Sequence, residues 1–120
     1  MTAFCGPLQV DSSTDFTAEI THLAFDSQNL TLVLESKETS PSEPDWVIDC
    51  SLPWQGNCYR GAAVLRYDTD ADGREVGDPS PATVIARVTR LAAGLSVDLR
   101  IVQHDADDQH WTLSGVLREG

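Results

Sequence analysis

Residues 79 to 94, PSPATVIARVTRLAAG, decide the fold class of this chain. As a helix, the stretch would have Ser80 as its N-cap, Pro81 at the first helical position and Gly94 just past its last turn. As a strand, residues 83–91 are rich in β-branched side chains, and residues 92–94 suit a three-residue turn with glycine in the left-handed conformation. We favour the strand because the interior composition is typical of sheets. One helix near 81–93, in an α+β fold, is the alternative.

Apolar and polar residues alternate with a period of two on both sides of this stretch, as in half-buried strands. The tetrapeptide DSQN, residues 26–29, predicts a hairpin turn between two such segments. A slip in the alternation at residues 21–23 predicts a β-bulge in the first of them. The alternation covers residues 16–20, 30–35, 46–52, 59–67, 95–101 and 111–117.

Together these segments predict an all-β fold. We expect an antiparallel meander of about seven to eight strands, closed as a small barrel or folded as a sandwich. A chain of 120 residues fits one domain, which we expect to span residues 1–120. The residues expected to face inwards include Phe16, Ile20, Leu30, Leu32, Leu34, Trp46, Ile48, Cys50, Leu52, Tyr59, Leu65, Val97, Leu99, Ile101, Trp111 and Leu113.

The formal net charge is −11, and Lys37 is the one lysine in the sequence. Because phosphate backbones attract basic surfaces, this charge argues against nucleic acid as a partner and favours a basic protein. No apolar run approaches the roughly 20 residues needed to span a bilayer, and the start of the sequence lacks the pattern of a secretory signal. We therefore expect a cytoplasmic protein without a membrane partner.

Three cysteines, Cys5, Cys50 and Cys58, make an odd count in a chain long enough to fold without disulfides. We expect all three to be reduced thiols, two of them on alternating strand positions where cysteine acts as a small core residue. The sequence contains no nucleophile elbow, phosphate loop or zinc-protease motif. Its carboxylates cluster in turns, where water keeps them ionised. We therefore expect a protein that is not an enzyme.

The segment YDTDADGREVGD, residues 67–78, begins like a calcium-binding loop. Asp68, Asp70 and Asp72, followed by Gly73, match the first half of the EF-hand pattern. The twelfth position, which should carry a bidentate glutamate, is Pro79. We expect this segment to turn the chain without holding a metal.

His104 and His110 flank a second acidic segment and are both expected to point outwards. Two imidazoles on one hairpin could bind a transition metal, but the sequence has no third histidine nearby to complete the site. We expect surface histidines here, and no metal or other cofactor in the protein.

Two functions fit these observations. The first is a non-enzymatic acidic interaction module, of the inhibitor, immunity or adaptor kind, that binds a basic partner. Its candidate contact residues are Trp54, which lies in a turn, and four aspartates in acidic segments, Asp70, Asp72, Asp107 and Asp108. The alternative is a small β-barrel that holds an apolar or aromatic ligand. Its lining would come from Trp46, Trp54, Tyr59, Tyr67 and Trp111.

Overall fold

Eight antiparallel strands make up most of the chain. The computed structural model describes residues 3–10, 16–38, 45–67, 79–104 and 108–120, and within them it contains no helix that could cross a lipid bilayer. The strands are β1 (Phe4–Val10), β2 (Phe16–Phe25), β3 (Asn29–Glu38), β4 (Trp46–Pro53), β5 (Tyr59–Tyr67), β6 (Ser80–Leu91), β7 (Gly94–His104) and β8 (Asp108–Glu119).

The strands close into a barrel in which each pairs with its neighbours in sequence. Pairing of β1 with β8, for example Phe4 with Glu119, completes the ring. Closure gives every strand a partner on both sides, which limits the unpaired sheet edges that promote aggregation. The predicted antiparallel meander is confirmed, and of the two predicted closures it takes the barrel.

Residues 80–91, within the stretch that decides the fold class, form β6, so the predicted alternative of a helix near 81–93 is wrong. β6 pairs with β5 over residues 80–86 and with β7 over residues 82–91. Its burial alternates, with Ala82, Val84 and Ala86 inside the barrel. The β-branched residues between them point outwards, where the sheet accommodates them better than a helix would.

The turn after β6 differs from the expected one. Leu91 pairs with Gly94, so Ala92 and Ala93 form a two-residue turn. Gly94 begins β7 and does not have the positive φ predicted for it. Glycine is required there for space, since a Cβ atom would collide with the carbonyl oxygen of Leu117.

Strand β1 has no counterpart among the predicted strands. Gly6 and Pro7 occupy its centre, and both residue types are depleted in strands. The strand is held by the burial of Phe4 and Leu8 and by pairing with β2 and β8. Tertiary pairing therefore overrides weak local preference in this segment.

The inward alternation predicted for the other strands is confirmed. Large aliphatic side chains fill the middle of the barrel with almost no exposure, and aromatic rings lie near both ends. The fully buried residues include Ile20, Leu23, Leu30, Leu32, Leu34, Ile48, Leu52, Leu65, Leu95, Leu99, Ile101 and Leu113.

Two interstrand ladders are interrupted. Between residues 49–53 of β4 and 60–64 of β5 no ladder pairs form, although the structure describes both stretches. Pairing resumes with an isolated bridge between Trp54 and Tyr59. The ladder between β1 and β8 is likewise interrupted at residues 6–8. We call these two boundaries the seams of the barrel.

Ser36 fastens β3 to β4 where their backbone ladder ends. Its buried hydroxyl donates to the Trp46 carbonyl oxygen at 3.1 Å and accepts from the Trp46 N–H at 3.0 Å. One side chain thus satisfies both backbone groups of Trp46.

Replacing this hydroxyl should destabilise the protein. We expect Ser36→Ala to lower the free energy of unfolding by about 1–3 kcal/mol, because two backbone groups lose a partner. Urea unfolding followed by circular dichroism measures the change. Thr31→Ala, which removes a longer 3.4 Å bond at a more exposed position, is the control and should cost less. Equal losses would contradict the role assigned to Ser36.

Candidate functional site

The two ends of the barrel differ in charge. We call one end of the barrel the acidic end. The odd-numbered strands β1, β3, β5 and β7 end there, and the even-numbered strands that follow them begin there. The segments that connect strands there, 11–15, 39–44, 68–78 and 105–107, lie outside the described residues. By sequence they contain ten of the 19 acidic residues and one of the eight basic residues.

The opposite end, which we call the turn end, is formed by residues 26–28, 54–58 and 92–93. Asp26 organises the first of these turns, since its carboxylate accepts hydrogen bonds from the N–H groups of Gln28 and Asn29. Both hydrogen bonds lower the pKa of Asp26, and the bond from Gln28 has the larger effect. The hydroxyl of Tyr59 donates to the Asp26 carbonyl oxygen and ties this turn to β5.

A cleft of about 560 Å³ lies on the outer wall near the acidic end. Thr17, Glu19, Glu35 and Lys37 line it with exposed side chains, so it opens to solvent rather than to the barrel interior. Pro7 and Val47 add apolar surface. The remaining lining residues are Leu8, Ala18, Ser36, Asp45 and Trp46.

Two glutamates lie side by side in the lining of this cleft. Glu19 of β2 pairs directly with Glu35 of β3, and Glu35 pairs in turn with Val47 of β4. Side chains directly opposite on an antiparallel pair are about 5 Å apart, and like charges at that spacing destabilise the sheet. A cation placed between the carboxylates would relieve this repulsion.

The bulge in β2 creates this pair. Residues 22–25 pair with β3 in one register, and the shift between Ile20 and His22 changes it by one residue. Without the shift, Glu19 would face Ser36. With it, Ile20 meets Leu34 inside and Glu19 meets Glu35 outside. The sequence predicted the bulge but not the glutamate pair, which requires the exact register.

Trp54 lies at the turn end, away from the acidic segments. It follows β4, eight residues after Trp46, which corresponds to about 26 Å along the strand. Its side chain is 44% exposed and contacts the Tyr59 ring at 4.9 Å between centroids. Trp54 and the acidic end therefore belong to different surfaces of the molecule.

The candidate aspartates Asp70, Asp72 and Asp107 lie outside the described residues. Asp108 begins β8, where its backbone pairs with His104 at the acidic end. The segments 68–78 and 105–107 connect neighbouring strands, so the topology brings their flanking strand ends together.

The aromatic residues expected to line a ligand cavity mainly contact one another. Near the acidic end, Phe16 lies 5.2 Å from Trp46 and 5.7 Å from Trp111, and the two tryptophans stack at 5.8 Å. Near the turn end, Tyr59 packs between the rings of Phe25 and Trp54. Core packing accounts for Trp46 and Tyr59, both of which are buried.

His104 and His110 are both exposed, as predicted. The Nε2 atom of His104 lies 2.8 Å from the Thr83 hydroxyl, on the adjacent strand β6. Within the described ranges, no group of three or more histidine, cysteine or acidic side chains is arranged to hold a metal ion. The segment resembling a calcium loop lies outside those ranges.

The three cysteines are free thiols, and Cys50 and Cys58 are buried. Burial, and then the neighbouring charge of Asp49, raises the pKa of the Cys50 thiol to about 11. A shift in this direction keeps the sulfur protonated and opposes its use as a nucleophile near neutral pH.

The Cys50 thiol should make stability depend on alkaline pH. Its pKa is raised in the fold from an ordinary value of 9.0, so the unfolded chain releases the proton first. The stability that this thiol adds is complete below pH 9 and is lost as the pH rises towards 11. We expect Cys50→Ala to lose less stability over this range than the parent, measured by urea unfolding at both limits. If the free energy of unfolding falls equally with pH in the parent and in Cys50→Ala, the thiol is not the source of the pH dependence.

No protein-family model, curated protein or solved structure matches this chain in comparisons with known proteins.

Proposed function

We propose that this protein is a non-enzymatic interaction module that binds a basic protein segment at the acidic end. The observation that carries the proposal is the cleft with Glu19 opposite Glu35 on its surface. It lies next to strand ends whose connecting segments are strongly acidic by sequence.

The cleft has the chemistry to hold an arginine or lysine side chain. The carboxylates of Glu19 and Glu35 would accept hydrogen bonds from the charged group, with a guanidinium better suited than an ammonium to contact both. Pro7 and Val47 offer apolar surface to the aliphatic stem of the same side chain. Binding would also relieve the repulsion between the two glutamates, although the charge of Lys37 in the same lining offsets part of this gain.

The ligand-binding alternative has less support. It assigns the aromatic rings to a cavity lining, whereas Trp46 and Tyr59 are buried against neighbouring rings. The outer wall therefore offers the better-supported binding surface.

A pair of variants with equal charge tests the proposal. The probe is a synthetic peptide of alternating arginine and alanine, with a glutamate–alanine peptide of equal length as the reference. We expect the parent to bind the arginine peptide, and Glu19→Gln with Glu35→Gln to weaken binding by roughly tenfold, equivalent to about 1.4 kcal/mol. Titration calorimetry at low ionic strength measures both affinities.

The matched control is Asp98→Asn with Glu119→Gln, which changes the net charge by the same amount at two exposed positions outside the cleft. We expect a smaller loss of affinity from this control. If the two double variants lose affinity equally, only global charge attracts the peptide and the cleft is not the site. If the parent prefers the acidic peptide or binds neither, the proposal fails.

A further inference from the structure

The outer wall across β5, β6 and β7 carries the opposite charge to the rest of the protein. Four of the five exposed arginines on these strands point outwards, whereas Arg90 lies over the Phe25 ring. Asp98 is the one acidic residue among the described positions of the wall. Half of the eight basic residues therefore lie here, in a chain whose net charge is −11. We call this surface, formed around Arg60, Arg66, Arg87 and Arg100, the arginine wall.

The centre of the arginine wall is apolar. Ile85 lies between Arg60 and Arg100 in one cross-strand row. Val64 is 41% exposed on the neighbouring strand. A shallow depression of about 370 Å³ lies beside this row, lined by Gln55, Arg60, Gly61, Ala62 and Thr83. Arginine around exposed aliphatic side chains is a composition enriched in protein interfaces.

The outer surface of β2, β3 and β4, which meets the arginine wall where β4 borders β5, carries the complementary charges. Glu19, Glu35 and Asp49 point outwards from β2, β3 and β4, and Val47 is half-buried beside them. Lys37 is the one lysine on this face. In a closed ring of eight strands, β2 and β3 lie four places from β6 and β7. We call this surface the acidic wall. It includes the two glutamates of the cleft.

We propose that the occupant of the arginine wall is a second copy of this chain, which docks through its acidic wall. Two acidic walls would repel each other, and so would two arginine walls, so a contact between like surfaces is disfavoured. The contact pairs different surfaces, is therefore heterologous, and leaves one wall of each copy available for a further copy.

The area of the two walls limits the strength of this contact. Three strands about 4.8 Å apart and about seven residues long present roughly 300 Å² per copy. Stable complexes bury about 800 Å² on each partner, and the net charge of −11 on each copy also opposes association, so the contact is weak and depends on salt. The inference does not require the proposed basic partner, although such a partner would compete for Glu19 and Glu35.

Charge reversal tests the contact. Sedimentation velocity of the full chain at low ionic strength should show species larger than the monomer as concentration rises, and their loss at high salt. Arg60→Glu with Arg100→Glu should be monomeric, and so should Glu19→Arg with Glu35→Arg. An equimolar mixture of these two variants should associate again, because each supplies the wall that the other has lost.

The control is Arg118→Glu with Ala92→Glu and Ala93→Glu, which makes the same charge change as the first variant at exposed positions outside the arginine wall. It should associate more than the Arg60 and Arg100 variant does. Circular dichroism confirms that each variant is folded. A parent that stays monomeric at every concentration and salt, or a mixture of reversed variants that stays monomeric, overturns the inference. If the parent is monomeric but still binds the arginine peptide, the proposed function holds and only the self-association is wrong.

Discussion

Trp46→Ala should lower the free energy of unfolding by about 3–5 kcal/mol, the range found for large aromatic residues removed from cores. The ring is 4% exposed and packs against Phe16 and Trp111. Aromatic pairs of this kind add about 0.5–1.5 kcal/mol beyond the area they bury. Urea unfolding followed by far-ultraviolet circular dichroism measures the loss without relying on tryptophan fluorescence.

Trp54→Ala is the matched control for this experiment. The same atoms are removed, but the ring is 44% exposed and meets the Tyr59 ring in an edge-to-face arrangement. We expect a loss of about 1 kcal/mol or less, as for surface substitutions with few contacts. Comparable losses in the two variants would show that the turn end supports the core as strongly as the ring cluster does.

Neutralising the aspartates of the acidic end should slow association with a basic partner. We expect Asp70→Asn, Asp72→Asn and Asp107→Asn together to reduce the association rate of the arginine peptide by at least about tenfold at low salt, since surface charge acts mainly on encounter. Stability should be unchanged or slightly higher. Stopped-flow kinetics at two salt concentrations measure the rate. Asp108 stays unchanged because it begins β8, whereas the other three aspartates lie in connecting segments.

A control triple variant separates position from charge. Asp98→Asn, Glu119→Gln and Gln55→Lys make the same net change of three charges at exposed sites away from the acidic end. We expect a smaller reduction in rate and a preserved salt dependence. Equal reductions in the two triple variants would mean that the whole molecular charge attracts the peptide. Unfolding of the aspartate variant would contradict the view that these residues do not support the fold.

The period of the hydrophobic pattern was sufficient to predict the fold class and most of the core. It failed for β1, because Gly6 and Pro7 interrupt the strand pattern in the sequence. This strand forms because β2 and β8 pair with it. It also misjudged Gly94, whose role depends on the carbonyl oxygen of Leu117, a residue distant in sequence. Local preferences cannot report a requirement imposed by another strand.

The candidate site was less accessible to sequence reasoning. Charge predicted an acidic surface, but the pairing of Glu19 with Glu35 depends on a one-residue register shift. Trp54 was correctly placed in a turn, yet the turn lies at the end opposite the acidic segments. The arginine wall has no signal along the chain, because its residues come together only when β5, β6 and β7 pair.

The two seams have a consequence for how the barrel opens. They divide the sheet into two continuous halves, β1–β4 and β5–β8, whose internal ladders are unbroken apart from single register shifts. Sub-global opening in proteins follows such cooperative units, so amide hydrogens along the seams should exchange before those inside either half. The acidic wall lies on one half and the arginine wall on the other. A bound molecule should therefore slow exchange mainly in the half that it contacts, so the exchange pattern would identify the occupied wall.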